Sequence, residues 1–198
     1  MSKVVLVEDN EIIREGLQLL LNGDGEFKCI ATFNNVDDLA HQFDEISPEF
    51  VMFDIGLPGV TGIDGIRKIR TISKEVNILV LTVYDDNDLL FEAIRAGANG
   101  YVVKNSPPEK IIDTMHDLAS GLSSMSGLIA QKVLNIFDKR KKSLSGYTKY
   151  ALTTNERKIL KGLVEGNSLV AIAESMVLDI SSIRMNFLNI YKKLQMFS

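Results

Sequence analysis

The chain has 198 residues, 45% of them hydrophobic and 24% charged, and a net charge of −4. This length allows one large domain or two modest ones, and the composition is that of an ordinary soluble globular protein. No stretch approaches the roughly 18 uninterrupted apolar residues of a membrane span, and Glu8 and Asp9 stand where a signal peptide needs its apolar core. With Cys29 as its single cysteine, the chain has no internal disulfide, and we expect a cytoplasmic protein with no membrane contact.

The front of the chain alternates short apolar runs with amphipathic stretches. Strands are predicted at 3–7, 27–32, 50–54, 77–82 and 100–103. Helices are predicted between and after them, at 11–21, 36–46, 62–72, 86–97 and 107–121. Five β–α units at this spacing predict an α/β fold, a doubly wound parallel sheet with helices on both faces.

The rear of the chain has a helical pattern. An apolar helix predicted at 128–137 leads into a linker at 139–150 that is rich in Lys, Ser and Gly. Beyond it, Thr153, Ser168 and Asp179 offer caps for three short helices. The sequence therefore predicts a small all-α domain at the rear of the chain.

The charge also divides the chain. Residues 1–138 carry 11 Lys/Arg against 22 Asp/Glu, a balance of −11, whereas residues 139–198 carry 11 against 4, a balance of +7. Such an asymmetry indicates two domains with different partners. The predicted division is a first domain over 1–122, a linker helix and basic linker over 123–150, and a helical domain over 151–198.

Polar side chains stand where the predicted strands end. They are Glu8, Asp9, Asp54, Thr82 and Lys104. Because ligands bind outside the carboxyl ends of the strands in open parallel sheets, we expect these side chains to converge. A few carboxylates plus water are the usual ligands of Mg²⁺, an aspartate can act as a covalent nucleophile, and a metal and a lysine offset phosphoryl charge. The sequence therefore predicts a magnesium-assisted phosphoryl site.

The motifs around these positions resemble the receiver domain of two-component response regulators, over roughly residues 2–122. They are Val-Leu-Val-Glu8-Asp9-Asn10, Phe53-Asp54-Ile-Gly-Leu57-Pro58-Gly59-Val-Thr-Gly62, Leu81-Thr82, and Ala96-Gly97-Ala98-Asn-Gly100-Tyr101-Val-Val-Lys104. The resemblance implies a flavodoxin-like (CheY-like) fold whose five strands have the order 2-1-3-4-5.

The same resemblance implies a role for each site residue. Asp54 would accept a phosphoryl group from a histidine kinase or a small phosphodonor, and Thr82 and Lys104 would contact that group. Thr82 and the aromatic Tyr101 would form the switch pair of the family. The implied Mg²⁺ ligands are Glu8, Asp9, Asp54 and the backbone carbonyl of Gly56.

The rear resembles the LuxR-type (NarL/FixJ-like) helix-turn-helix. The matching segments are Leu152–Leu160, Gly166-Asn167-Ser168, Ile172-Ala173-Glu174, Ser181-Ser182-Ile183-Arg184 and Asn189–Leu194. The resemblance implies that the last helix enters the major groove of DNA and that the protein forms a homodimer on phosphorylation. The implied base readers are Ser182, Arg184, Met185 and Asn186, and the implied phosphate contacts are Lys192 and Lys193.

The rear also departs from that family. Leu169 and Val170 are apolar where the family is usually polar, and we expect them to be exposed as an apolar contact patch. Arg184 is the one cation of the reading helix before Lys192, and the sequence stops at Ser198, where the family usually adds a fourth helix.

Two hypotheses follow, and a third is disfavoured. The first is a phosphorylation-controlled DNA-binding transcription regulator. The second is a phospho-switch whose rear domain has lost DNA reading and contacts protein. An enzyme resembling the haloacid dehalogenase phosphatases would need a second acid two residues after the nucleophile, and position 56 is glycine. We therefore expect no enzyme activity beyond self-phosphorylation from small donors and slow self-dephosphorylation.

Overall fold

A parallel sheet forms the centre of the first half of the molecule. The computed structural model describes residues 1–57, 61–83, 87–121, 125, 127–143 and 151–196. The five strands have the order β2-β1-β3-β4-β5, and all pairs are parallel. Their bounds are β1 Ser2–Val7, β2 Phe27–Phe33, β3 Phe50–Asp54, β4 Asn77–Thr82 and β5 Gly100–Val103. This order confirms the flavodoxin-like fold.

Helices cover both faces of the sheet. They are α1 Glu11–Asp24, α2 Val36–Ile46, α3 Gly62–Ile72, α4 Asn87–Ala96 and α5 Pro108–Ala119. Side chains alternate across each strand, so Val5 and Val7 pack under α2 and α3 while Val4 and Leu6 pack under α1 and α5. Because both faces are buried, the strands are near-continuous apolar runs, as the sequence predicted.

The described residues of the rear form four helices. They are α6 Gly127–Ser143, α7 Thr154–Val164, α8 Leu169–Met176 and α9 Ile180–Gln195. The predicted caps are confirmed: Thr153 and Glu156 form a capping box, and the side chains of Ser168 and Asp179 accept N–H bonds at the starts of α8 and α9. The helix predicted at 128–137 is longer than expected and continues into the basic segment as far as Ser143.

The two halves share a core. Leu90, Phe91 and Ile94 of α4 are 1%, 6% and 1% exposed, and they belong to the same apolar cluster as the buried faces of α6, α7, α8 and α9. Each such side chain contributes about 1.5–3 kcal/mol when it is buried. Helix α4 is therefore held between the sheet and the rear helices.

Some predictions concern residues that the structure does not describe. The predicted boundaries at 122 and 150, the end of the basic linker and Ser198 lie outside the described residues. The domain bounds therefore stay predictions. Among the described helices, none is long and apolar enough to cross a membrane.

Candidate phosphoryl site and candidate DNA-binding helix

Lys104 bridges two buried carboxylates at the carboxyl edge of the sheet. Its Nζ forms an ion pair with each of them, at 2.6 Å from Oε2 of Glu8 and 2.9 Å from Oδ2 of Asp54. Glu8 is 0% exposed and Asp54 is 4% exposed. These residues follow β1, end β3 and follow β5, so the parallel topology brings together side chains that are about a hundred positions apart in the sequence.

The Glu8, Asp54 and Lys104 group carries more negative than positive charge. Burial raises the pKa of Glu8, the hydrogen bond from Lys104 opposes that rise, and the Asp54 carboxylate adds to it. Burial by itself would lower the pKa of Lys104, but hydrogen bonds to Glu8 and Asp54 outweigh burial, so this pKa is raised. Lys104 is therefore a fixed cation shared by two carboxylates, and a further cation would relieve the repulsion that remains.

The carboxylates of Glu8, Asp9 and Asp54 fit a divalent cation. One oxygen from each of Glu8, Asp9 and Asp54 lies within 4.8 Å of the others. All these donors are oxygens, as Mg²⁺ prefers, and the exposed Asp9 leaves a side open to water. The N–H of Gly56 donates to Oδ1 of Asp54 at 2.9 Å, which holds this glycine against the carboxylate. The carbonyl of Gly56 as a metal ligand stays a prediction.

The predicted switch pair lies on neighbouring strands. Thr82 is fully buried at the end of β4, and its backbone carbonyl accepts the N–H of Lys104 at 2.7 Å. Tyr101 on β5 is opposite Val80, two residues before Thr82, and is half-buried. Its ring packs against the core under α2 and α3 and also against the core shared with the rear helices. Tyr101 thus connects the surroundings of the acidic pocket with the rear helices.

Helix α9 presents three faces. Ile183, Phe187, Ile190 and Leu194 form the face buried within the rear helices. A second face, with Leu188, Tyr191 and Gln195, lines a cleft against α3 and α4. Met185, which is 58% exposed, marks the open face. The predicted reading helix is therefore partly covered by the sheet domain.

The four predicted base readers have different surroundings. The hydroxyl of Ser182 donates to Oδ2 of Asp179 at 3.3 Å, and the amide of Asn186 donates to the Ser182 carbonyl at 2.7 Å, so both side chains lie close to their own helix. The Nε atom of Arg184 is buried, and no described residue accepts a hydrogen bond from it. Met185 faces solvent. The structure does not present the four as one open surface.

Arg184 interacts electrostatically with Asp117, an acidic residue of α5. Partial burial raises the pKa of Asp117, and the positive charge of Arg184 is among the charges that oppose this rise. Asp117 was not among the predicted site residues, because no local motif marks it. The electrostatic influence of Arg184 on Asp117 is a long-range property that the spacing of residues does not encode.

The two predicted phosphate contacts also differ. Lys192 is exposed, as a phosphate contact requires. Lys193 instead donates to both oxygens of the buried Glu156, at 2.7 and 2.9 Å, and to the carbonyl of Ala151 at 2.9 Å. This geometry favours a structural role for Lys193, which ties the end of α9 to the start of α7.

The expected apolar patch on α8 is half wrong. Val170 is 60% exposed, as expected. Leu169, however, is partly buried and lines a cavity of about 400 Å³ together with Tyr101, Leu163 and Phe187. The apolar side chain that departs from the family pattern therefore faces the strand that carries Tyr101.

Comparison with known proteins supports the whole-chain resemblance. The family model of the response regulator receiver domain matches residues 4–116. The transcriptional regulatory protein LnrK of Bacillus subtilis (strain 168) is 30% identical over 201 residues, covering 98% of this chain and 91% of LnrK. The oxygen regulatory protein NreC of Staphylococcus haemolyticus (strain JCSC1435) is 27% identical over 200 residues, covering 99% of this chain and 92% of NreC.

Solved structures agree with these relatives. A LuxR-family two-component response regulator from Aurantimonas sp. SI85-9A1 has a TM-score of 0.62 and 30% identity, covering 68% of this chain and 96% of that one. The response regulator RcsB of Salmonella typhimurium, at 19% identity, shares the fold over 98% of this chain and 91% of its own, with a TM-score of 0.60. The chain belongs to the response regulator receiver domain family, and its relatives extend the match through the LuxR-type helical domain.

Proposed function

We propose that this protein is a transcription regulator whose DNA binding is controlled by phosphorylation of Asp54. The single observation that carries the proposal is that the phosphoryl pocket and the reading helix share a physical connection. Lys104 and Thr82 lie at the pocket, Tyr101 lies on the strand between them and the rear helices, and α4 is packed against α9. The relatives are named as transcriptional regulators, which favours DNA as the partner over a protein-docking role.

The pocket residues supply the chemistry of phosphoryl acceptance. A carboxylate oxygen of Asp54 attacks phosphorus, the bond from phosphorus to the donor nitrogen or oxygen breaks, and the leaving group keeps that electron pair. Lys104 already lies at 2.9 Å from Asp54, so its ammonium can follow the new phosphoryl oxygen with little movement. Mg²⁺ held by Glu8, Asp9 and Asp54 would offset the remaining charge.

The switch follows from the position of Thr82 and Tyr101. A phosphoryl group on Asp54 offers the Thr82 hydroxyl an acceptor, and its movement towards the pocket frees space beside β5. Tyr101 can then turn inward, away from the core that it shares with α4 and the rear helices. Loss of that contact weakens the attachment of α9 and uncovers Arg184 and Leu188. Phosphorylation is thus a local electrostatic event that biases a domain arrangement.

We also propose the partners and the setting of this switch. A histidine kinase in the cytoplasm supplies the phosphoryl group. A second copy of the chain joins on phosphorylation, and the exposed apolar side chains of α1 offer it a surface, since Ile12 and Leu19 are 83% and 75% exposed one heptad apart. A dimer would place two α9 helices on two DNA half-sites.

DNA selection from fragmented genomic DNA tests the function. Purified full-length protein is used with and without beryllofluoride and Mg²⁺, at two salt concentrations, beside the Asp54→Asn variant. We expect a half-site repeat that is enriched more strongly with beryllofluoride in the natural protein, and an unchanged enrichment in the variant. Weak binding with no preferred sequence in every condition would contradict DNA reading and favour the protein-docking hypothesis.

A further inference from the structure

A cleft of about 470 Å³ lies where the C-terminal ends of α3, α4 and α9 meet. Its walls come from both domains, because α3 and α4 belong to the receiver and α9 to the helical domain. The volume is in the range of small-molecule sites, roughly 300–1,000 Å³. We propose that this cleft binds a small phosphate-bearing anion that holds the two domains together.

The charge of the lining carries this proposal. The lining cations are Arg67, Arg70, Lys74, Arg95 and Lys192, and Glu75 is the one acid among the described lining residues. Residues 1–138 contain 11 Lys/Arg against 22 Asp/Glu, yet four of those 11 cations line this cleft. A concave surface with one sign of charge concentrates its field, so an anion is attracted here although the receiver as a whole is acidic.

Helix dipoles account for part of this arrangement. Each helix C-terminus carries roughly half a negative charge, so the three ends favour a cation apiece. Arg70, Arg95 and Lys192 lie in the last turns of α3, α4 and α9 and meet that need. Arg67 and Lys74 are cations beyond the three that the helix ends favour, and their positive charge is available to an added anion.

Of the five cations, one has a structural role in the cleft and four are placed to contact the ligand. Arg70 is buried, and its N–H groups donate to the carbonyls of Gly97 at 2.9 Å and Val76 at 2.6 Å and to the side chain of Asn99 at 2.6 Å. It therefore fixes the floor of the cleft. The φ of Gly97 is +127°, and a Cβ there would lie 2.4 Å from Cγ of Arg70, so glycine lets the backbone approach this side chain.

The remaining cations are accessible to a ligand. Lys74 and Lys192 are exposed, and neither has an acidic group within 4.0 Å among the described residues. Arg67 and Arg95 pair with Asp64 and Glu92, whose side chains are 57% and 44% exposed. An exposed pair such as that of Arg67, whose side chain is 50% exposed, contributes about 0–1 kcal/mol, so a phosphate can take this arginine at small cost.

A ligand that touches both domains also has a regulatory effect. It binds the arrangement in which α9 lies against α3 and α4, and it loses its contact with Lys192 when the domains separate. By linkage, the ligand lowers the affinity for DNA by the same factor by which bound DNA lowers the affinity for the ligand. The cleft would thus be an inhibitory site that works against phosphorylation of Asp54.

Calorimetric titration of the full chain with inorganic tripolyphosphate and, separately, with ATP tests the proposal. EDTA is present so that the acidic pocket has no cation through which to hold a phosphate. We expect saturable binding that Lys74→Ala and Lys192→Ala each weaken by roughly tenfold, the loss of one charge-assisted hydrogen bond. Lys28→Ala on the receiver and Lys161→Ala on the helical domain remove the same charge elsewhere and should leave the affinity unchanged.

The outcomes separate the alternatives. Tighter binding of ATP than of tripolyphosphate would identify a nucleotide as the ligand, and equal binding would identify the phosphate chain alone; both support the site. No saturable binding, or equal weakening by the two control variants, would overturn it. The proposal would also fail if only the lysine of one domain mattered, or if Lys74→Ala weakened DNA binding while leaving tripolyphosphate binding intact, since the cleft would then contact DNA instead.

Discussion

The phosphoryl pocket and helix α9 differ in what holds their functional side chains. In the pocket, Lys104 forms ion pairs with Glu8 and Asp54 at the carboxyl edge of a buried sheet. On α9, Arg184 has a buried nitrogen with no hydrogen-bond acceptor among the described residues, and Leu188 lines a cleft against another domain. The chemical site is organised by its own domain, whereas the output site depends on how two domains meet. Control of the second by the first is therefore a matter of domain arrangement.

The largest expected effect concerns the pocket alone. Asp54→Asn removes the nucleophilic oxygen, so Mg²⁺-dependent labelling by radioactive acetyl phosphate should fall below detection. Asp44→Asn, an exposed acid on α2, is the matched control and should label fully. EDTA should abolish labelling of the natural protein. Full labelling of Asp54→Asn would remove this residue from the mechanism.

The next prediction breaks the contact between the two regions. Ile94→Ala deletes a side chain that is 1% exposed in the shared core, and should cost about 2–5 kcal/mol of folding free energy. Because it loosens α4 from the rear helices, it should also raise DNA affinity without beryllofluoride. Ile66→Ala, buried under the sheet, should cost similar stability in urea unfolding but leave unphosphorylated DNA binding unchanged. Equal DNA binding by the two variants would contradict the role of the α4 contact.

A third prediction sharpens the output side. If Arg184 reads a guanine, Arg184→Ala should cost about 1–3 kcal/mol of sequence-specific affinity in the beryllofluoride form. Lys158→Ala, with the same loss of charge on α7, is the control for general electrostatics. Fluorescence anisotropy on a selected site and on a scrambled site separates the two effects. A loss that is equal on both DNAs would show that Arg184 contacts phosphate rather than a base.

The smallest prediction separates two adjacent lysines. Lys193→Ala leaves the buried Glu156 without its ammonium partner and should reduce the free energy of unfolding by about 1–3 kcal/mol. Lys192→Ala should change stability little, since this side chain is exposed, but should weaken DNA binding. Urea unfolding and anisotropy on both variants check the pair. The assignment fails if Lys192→Ala is the more destabilising of the two.

Much of the pocket could be predicted because topology and strand ends are local signals. Apolar runs bounded by polar residues located β3, β4 and β5 at their observed bounds, and parallel pairing then brought Asp54 and Lys104 together. The two ion pairs of Lys104, with Glu8 and with Asp54, could not be predicted, because the partners of a side chain depend on the three-dimensional fold.

The rear of the chain was harder to predict for the same reason. Caps such as Thr153 act over three residues, and they were found. The burial of Leu169, the pairing of Lys193 with Glu156 and the field of Asp117 at Arg184 all depend on surfaces that meet after folding. The family resemblance predicted that Lys193 contacts DNA phosphate. The position of a residue in a motif does not show which residue of a neighbouring helix it will pair with, so the pairing with Glu156 was missed.

The shared core has a consequence for engineering and for evolution. The receiver and the helical domain are not independent parts, because Leu90, Phe91 and Ile94 of the receiver are buried by helices of the other domain. A chimera that joined residues 1–121 to a foreign output module would expose these three side chains as an apolar patch that promotes aggregation. Recombination of such modules would therefore succeed only when the incoming helices bring a matching apolar face, and positions on α4 and α9 should change together as lineages diverge.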